Sequence, residues 1–265
     1  MAFVSAVAVN WAYAREHDAV AAMPPISLRK PRRFVSQLVS SRRWLLAFGT
    51  ETAGWLVYIG SLKLAPLSLV QAVGASGIAV LAYAGAHGNP SRLLRHERAA
   101  VALGFGGLAL LALSLVDTHQ SDHRPGSVSV AIWLACLVAG ALVLVGGGIA
   151  IARAPALGLA AGLLFAGGDI SSKLVVYGGI WVIAAIPLVV CYALGTSVLQ
   201  KSFQYGAALT TAGLATLSAN AAPIAAGFVL FGEKLPHGTK GTLQLAAFAS
   251  IVVSAVLLGR VAGPR

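Results

Sequence analysis

Three ionisable side chains lie inside long apolar runs of this sequence. Glu51 sits in Gly49-Thr50-Glu51-Thr52, and Asp169 and Lys173 follow Gly167-Gly168. A charge at the centre of a bilayer costs ~2.5–3.5 kcal/mol on insertion scales, so each one needs a reason. Glu51 has no partner within its own segment and is expected to accept a proton or a cation on a transport path. Asp169 and Lys173 are spaced i,i+4 and share one helical face. They read either as a self-neutralising pair that holds helices together or as a substrate- or ion-facing pair beside a glycine weak point. Gln71 and Asn220 are uncharged polar residues in other apolar segments, suited to interhelical hydrogen bonds or to lining the same path. Pro223 removes an amide from its helix and disturbs the Ala219 carbonyl, which leaves an acceptor near Asn220. Glu51 and Asp169 are the expected ligands if the solute is a divalent cation, since hard ions want oxygen.

Other chemistries are not written here. No glycine-rich loop precedes a Lys-Ser/Thr pair, and the apolar segments hold no Ser/His/Asp or metal-ligand cluster. An ATP-driven pump or a hydrolase is excluded, and no cofactor is expected. Cys136 and Cys191, each in the middle of an apolar segment, read as buried small hydrophobes. Gly74-Ala75-Ser76-Gly77 and Gly146-Gly147-Gly148 read as helix-packing sites, and Pro187 as a packing kink. Glu233 and His237 fall in a loop and are expected to be solvated. Trp55, Tyr58, Tyr177 and Trp181 are expected at an interfacial aromatic belt.

The elements that position these residues are set by composition. Of 265 residues, 58% are hydrophobic and 10% charged. A soluble domain carries about a quarter of charged residues, so this chain lacks the polar surface to cover itself in water. Nine apolar segments are predicted as helices: 1–14, 44–62, 66–86, 99–116, 128–150, 155–176, 180–200, 206–231 and 242–259. All but the first have about 18 residues or more, enough to cross most of a ~30 Å hydrocarbon layer. The fold class is therefore an all-α membrane protein with about nine transmembrane helices. It forms a single polytopic domain, with a first half at 1–116, a central helix at 128–150 and a second half at 155–265. The first segment is too short to span unless it continues past Arg15. A signal peptide fits poorly without a basic region before the apolar run. The expectation is a native start upstream that completes this span.

Charge sets the orientation. If every segment spans, fourteen Lys and Arg fall on one face and four on the other. The positive-inside rule gives the richer face to the cytoplasm, with the N-terminus outside and the C-terminus inside, in a plasma (inner) membrane. The basic stretch between the first two helices contains Pro24, Pro25 and Pro31 and is expected at the headgroups, as an irregular or amphipathic linker. The net charge of +11 thus belongs to topology, and no nucleic acid is expected. The expected partners are membrane lipid, a small solute or cation, and a second copy in a homodimer.

Two segments look alike. Ser61-Leu62-Lys63-Leu64-Ala65-Pro66-Leu67-Ser68-Leu69-Val70-Gln71 runs through Gly74 and Gly77 to His87-Gly88-Asn89-Pro90. Ser202-Phe203-Gln204-Tyr205-Gly206 runs through Asn220-Ala221-Ala222-Pro223 to Phe231-Gly232-Glu233-Lys234-Leu235-Pro236. They lie five spans apart, and an odd offset gives two copies of opposite orientation, the inverted repeat of secondary transporters. On these residues the chain resembles the drug/metabolite transporter superfamily. Asn220-Ala221-Ala222-Pro223 through Gly232-Glu233 is similar to the end of an EamA-type repeat. The odd helix count, external N-terminus and basic first loop resemble the NIPA-type magnesium transporter branch. That branch carries an acidic residue about three turns before the Ala-Pro. Here Glu51 lies about a turn earlier, and Trp55 stands at the expected place. The resemblance implies a secondary transporter of a small solute or a divalent cation such as magnesium, working by alternating access. A small organic metabolite or drug, favoured by Lys173 and the scarcity of acids, is the other substrate class, and a non-transporting membrane subunit is a third reading. Glu51, Gln71, Asp169, Lys173 and Asn220 would line the path.

Overall fold

The computed structural model describes residues 1–28, 30–74, 76–86, 94–114, 124–147 and 153–233, and parts of the helical stretch 241–257. His237, the repeat segment 87–90, Gly148 and the predicted helix ends at Val116, Ala150 and Gly259 lie outside the described residues.

All described elements are helices. They are α1 (Ala2–Ala21), α2 (Pro31–Val39), α3 (Arg42–Leu62), α4 (Leu67–Gly74), α5 (Gly77–Gly85), α6 (Arg95–Ser114), α7 (Ser127–Gly147), α8 (Arg153–Tyr177), α9 (Ala185–Phe203) and α10 (Ala208–Val229). A 3-10 segment, Gly179–Ala184, leads into α9. Five helical segments are long and apolar enough to cross a membrane: Leu67–Gly85, Ser127–Gly147, Arg153–Tyr177, Gly179–Phe203 and Ala208–Val229. Their outer faces carry Val128, Val143, Ile180, Ile183 and Val189, all exposed. Apolar surface on that scale is solvated by lipid. The chain is an all-α membrane protein.

Several expectations are corrected. The first helix does not stop at Ala14 but carries Arg15, Glu16, His17 and Asp18 on to Ala21. The predicted third helix, 66–86, matches one apolar span at Leu67–Gly85, described as α4 and α5, with Ala75 outside the described residues. Pro187 falls at the third residue of α9, just after the 3-10 segment Gly179–Ala184 gives way to α-helix. The basic linker holds an amphipathic helix, α2. Pro31 opens it, Phe34 and Leu38 are buried one turn apart, and Arg32 and Arg33 are exposed.

Glycine sets how closely the helices approach. Gly158 and Gly162 lie one turn apart on α8 and face α10. A Cβ on Gly158 would come within 2.5 Å of the Thr211 carbonyl oxygen, and one on Gly162 within 2.4 Å of that of Ala215. Backbones in such contact give membrane helices the dispersion energy that replaces a hydrophobic drive. Gly195 of α9 admits the Phe165 ring of α8, and Gly54 of α3 admits Ala8 and Val9 of α1. Helix α8 thus packs between α9 and α10, while α1 packs on α3 and α5.

The corner between α3 and α4 is held by charge. Lys173 Nζ donates to the Leu62 carbonyl at 3.0 Å and the Ala65 carbonyl at 3.3 Å, at the end of α3. Glu233 accepts from the Leu67 amide at 2.9 Å and the Ser68 amide at 3.2 Å, at the start of α4. The cation meets carbonyls and the anion meets amides, each at the helix end whose dipole favours it. Glu233 is therefore buried and structural, not solvated as its loop position suggested. Asp169 and Lys173 do not form a pair, because the ammonium is spent on this corner.

Candidate functional site

Gln71 on α4 and Asp169 on α8 meet directly. Gln71 Nε2 donates to Asp169 Oδ2 at 2.9 Å and to the Tyr58 hydroxyl oxygen of α3 at 2.7 Å. The Tyr192 hydroxyl of α9 donates to Asp169 Oδ1. Asp169 is thus held by two neutral groups from two other helices. No Lys, Arg or His among the described residues forms an ion pair with it. Neutral donors fix the carboxylate in place and leave its charge uncancelled.

Beside this cradle lies a cavity of about 540 Å³. Its wall includes Glu51, Gln71, Asp169 and Asn220, four of the five residues singled out from the sequence. Lys173 does not line it. Asn220 Nδ2 donates to the Thr216 carbonyl at 2.7 Å, and the Thr216 hydroxyl donates to Asn10 Oδ1 of α1 at 3.0 Å. Asn10 in turn packs on Gly77, where a Cβ would come within 1.9 Å of Asn10 Nδ2. Gly74 lies against Asn220 and Gly77 against Asn10. Ala219, whose carbonyl Pro223 frees, also faces the cavity.

Most of the wall is aromatic or aliphatic. Tyr13, Trp44, Phe48, Trp55, Tyr58, Phe165 and Tyr192 line it. Trp55 meets the Tyr192 ring edge-on, with centroids 5.4 Å apart. Trp55 and Tyr58 are thus cavity residues, not the interfacial belt expected of them. Phe34, Val35, Leu38 and Val39 of α2 close one end.

Glu51 leads to residues that the sequence did not single out. Glu16 and Tyr13, both on α1, are its electrostatic neighbours. Glu16 is fully buried and accepts from Gln200 Nε2 of α9. The signal was in the pattern. Tyr13, Glu16, Ala19 and Val20 continue an i, i+3, i+4 spacing past Arg15, and all are buried. Ending the first helix at Ala14 hid it. Among the described residues no group of three His, Cys, Asp or Glu side chains is placed to hold a metal. Glu51 and Asp169 share the cavity wall, but each is engaged with different partners.

These features define a class: a polytopic helical membrane protein with an acidic, aromatic-walled cavity. The chain is similar to the protein described as probable magnesium transporter NIPA9 of Arabidopsis thaliana. The two are 23% identical over 265 aligned residues, covering 89% of this chain and 74% of that protein. No family model matches the chain, and no solved structure matches it.

Proposed function

We propose that this protein is a secondary transporter of a small, positively charged solute, with the cavity as its binding site. The observation that carries the proposal is the cavity wall, where two carboxyl groups without ionic partners face aromatic rings. Carboxylates with aromatic faces attract a desolvating cation. A volume near 540 Å³ falls in the range of small-molecule pockets. A small organic cation suits this mostly apolar wall best. Magnesium is the second reading, supported by the name of the similar plant protein. It keeps several waters when bound, so few protein oxygens would suffice. A non-transporting subunit would have no use for uncancelled charge beside a cavity.

The mechanism that fits is alternating access between inverted halves. Helices that would correspond in the two proposed halves contact one another. Tyr13 of α1 stacks with Phe165 of α8 at 6.2 Å. Trp55 of α3 meets Tyr192 of α9. Gly74 of α4 faces Asn220 of α10. Ser254 of the C-terminal helical stretch donates to the Ala100 carbonyl of α6 at 2.7 Å. Such pairings support a two-fold axis through the cavity, about which the halves would rock.

The test is flux into proteoliposomes, with a panel of organic cations and with magnesium read by an internal indicator. Saturable uptake that Glu51→Gln abolishes is the expected result. Uptake of every cation at the rate of empty liposomes would overturn the proposal.

A further inference from the structure

Three buried oxygens find no hydrogen-bond partner: Glu16 Oε1, Glu51 Oε2 and Gln200 Oε1. Gln200 bonds to Glu16, and Glu51 is an electrostatic neighbour of Glu16. Glu16 and Gln200 are both fully buried, and neither lines the cavity. No basic side chain among the described residues forms an ion pair with either glutamate. Arg15 and His17 turn instead to Asp18. His17 also contacts the Gly206 carbonyl.

Buried acceptors without donors are costly, and two adjacent carboxylates in a low-dielectric interior more so. A shared proton would serve the two carboxyl oxygens and leave the Gln200 carbonyl oxygen unmet. A metal cation serves all three. We infer that Glu16, Glu51 and Gln200 form a binding site for one hard cation stripped of its water, of the size of sodium or calcium. Magnesium fits this site poorly, because it sheds its water reluctantly and needs a near-octahedral shell. Glu51 belongs to both places, with an unpartnered buried Oε2 and the residue on the cavity wall. An ion at the cluster would therefore fix the charge that the cavity presents. On the transporter reading it is the coupling ion, and that role rests on the reading above. The binding site itself does not.

The experiment uses the full chain in detergent, at fixed pH, in choline chloride. Sodium, potassium, calcium or magnesium chloride replaces choline at constant ionic strength, and the unfolding midpoint is read. Radioactive sodium or calcium binding is counted on the same samples. Sodium or calcium is expected to raise the midpoint saturably and to bind once per chain. Glu16→Gln should weaken that binding by more than the ~10-fold typical for an outer-shell partner, whereas Asp169→Asn should retain it. Which ion acts distinguishes an alkali site from a divalent one. A wild-type midpoint indifferent to all four ions, with no tracer bound, overturns the inference even if Glu16→Gln fails to fold. Stabilisation that Asp169→Asn removes and Glu16→Gln leaves intact overturns it as well. Failure of the transporter reading would instead appear as absent flux, with this binding untouched.

Discussion

Asp169 and Lys173 occupy successive turns of α8 yet serve different ends. Tyr192 and Gln71 hold the aspartate toward the cavity. The α3 carbonyls draw the lysine away from it. This separates two variants that a salt-bridge reading would join. Asp169→Asn removes the uncancelled charge and should raise the KM for a cationic solute at least about tenfold, or about 1.4 kcal/mol of binding. Lys173→Met should leave KM unchanged and lower stability by about 1–3 kcal/mol, the cost of stranding buried hydrogen-bonding groups. Uptake kinetics and thermal unfolding of both variants check this. A matched loss of affinity in the two would restore the pair. Glu233→Gln acts at the same corner, since an amide satisfies the Leu67 and Ser68 amides less well than a carboxylate. It should destabilise the protein without changing solute selectivity.

At the scale of elements, the helices were largely legible because lipid imposes one demand on every span: enough apolar residues in one run. The predicted segments at 128–150 and 155–176 agree with α7 and α8 to within a few residues at their described ends. Function was harder to read because it sits where that demand is broken. Arg15, Glu16 and Asp18 make the end of α1 look like a loop, although Glu16 is fully buried there. Glu233 looks solvated because its partners, the amides of α4, lie 165 and 166 positions away. The Gly74–Gly77 stretch reads as close packing, and Gly77 does pack on Asn10. Gly158 and Gly162 of α8 were not singled out and carry a direct prediction. Gly162→Leu should force α8 from α10, because even a Cβ lies 2.4 Å from the Ala215 carbonyl. Overpacking of this kind costs about 1–3 kcal/mol or more. The midpoint of unfolding in detergent should fall, and an unchanged midpoint would show that the contact is not tight.

For the whole molecule, the cavity's open direction follows from α2. This helix joins the end of α1 to the start of α3, so it lies at the membrane face that those ends share. Phe34 and Leu38 close the cavity there, while Arg32 and Arg33 point away, exposed. An amphipathic helix with arginine on its outer face belongs at an anionic headgroup layer. Arg42 and Arg43 at the start of α3 add to the same face. The positive-inside rule predicts a cytoplasmic face there, which would make α2 an inner cover over the proposed solute site. Ser36 is exposed on α2 and offers a place to test this. Cys136 is exposed as well, so the test belongs in a Cys136→Ser background. A membrane-impermeant maleimide should label Ser36→Cys in inside-out vesicles and leave right-side-out vesicles unlabelled. The reverse pattern would turn the molecule over and make α2 an outer cover, with the cavity reached from outside the cell. If the cover also moves during transport, saturating solute should change the labelling rate of Ser36→Cys in wild-type Glu51 protein. It should not do so in Glu51→Gln, where the solute has lost the charge that draws it in.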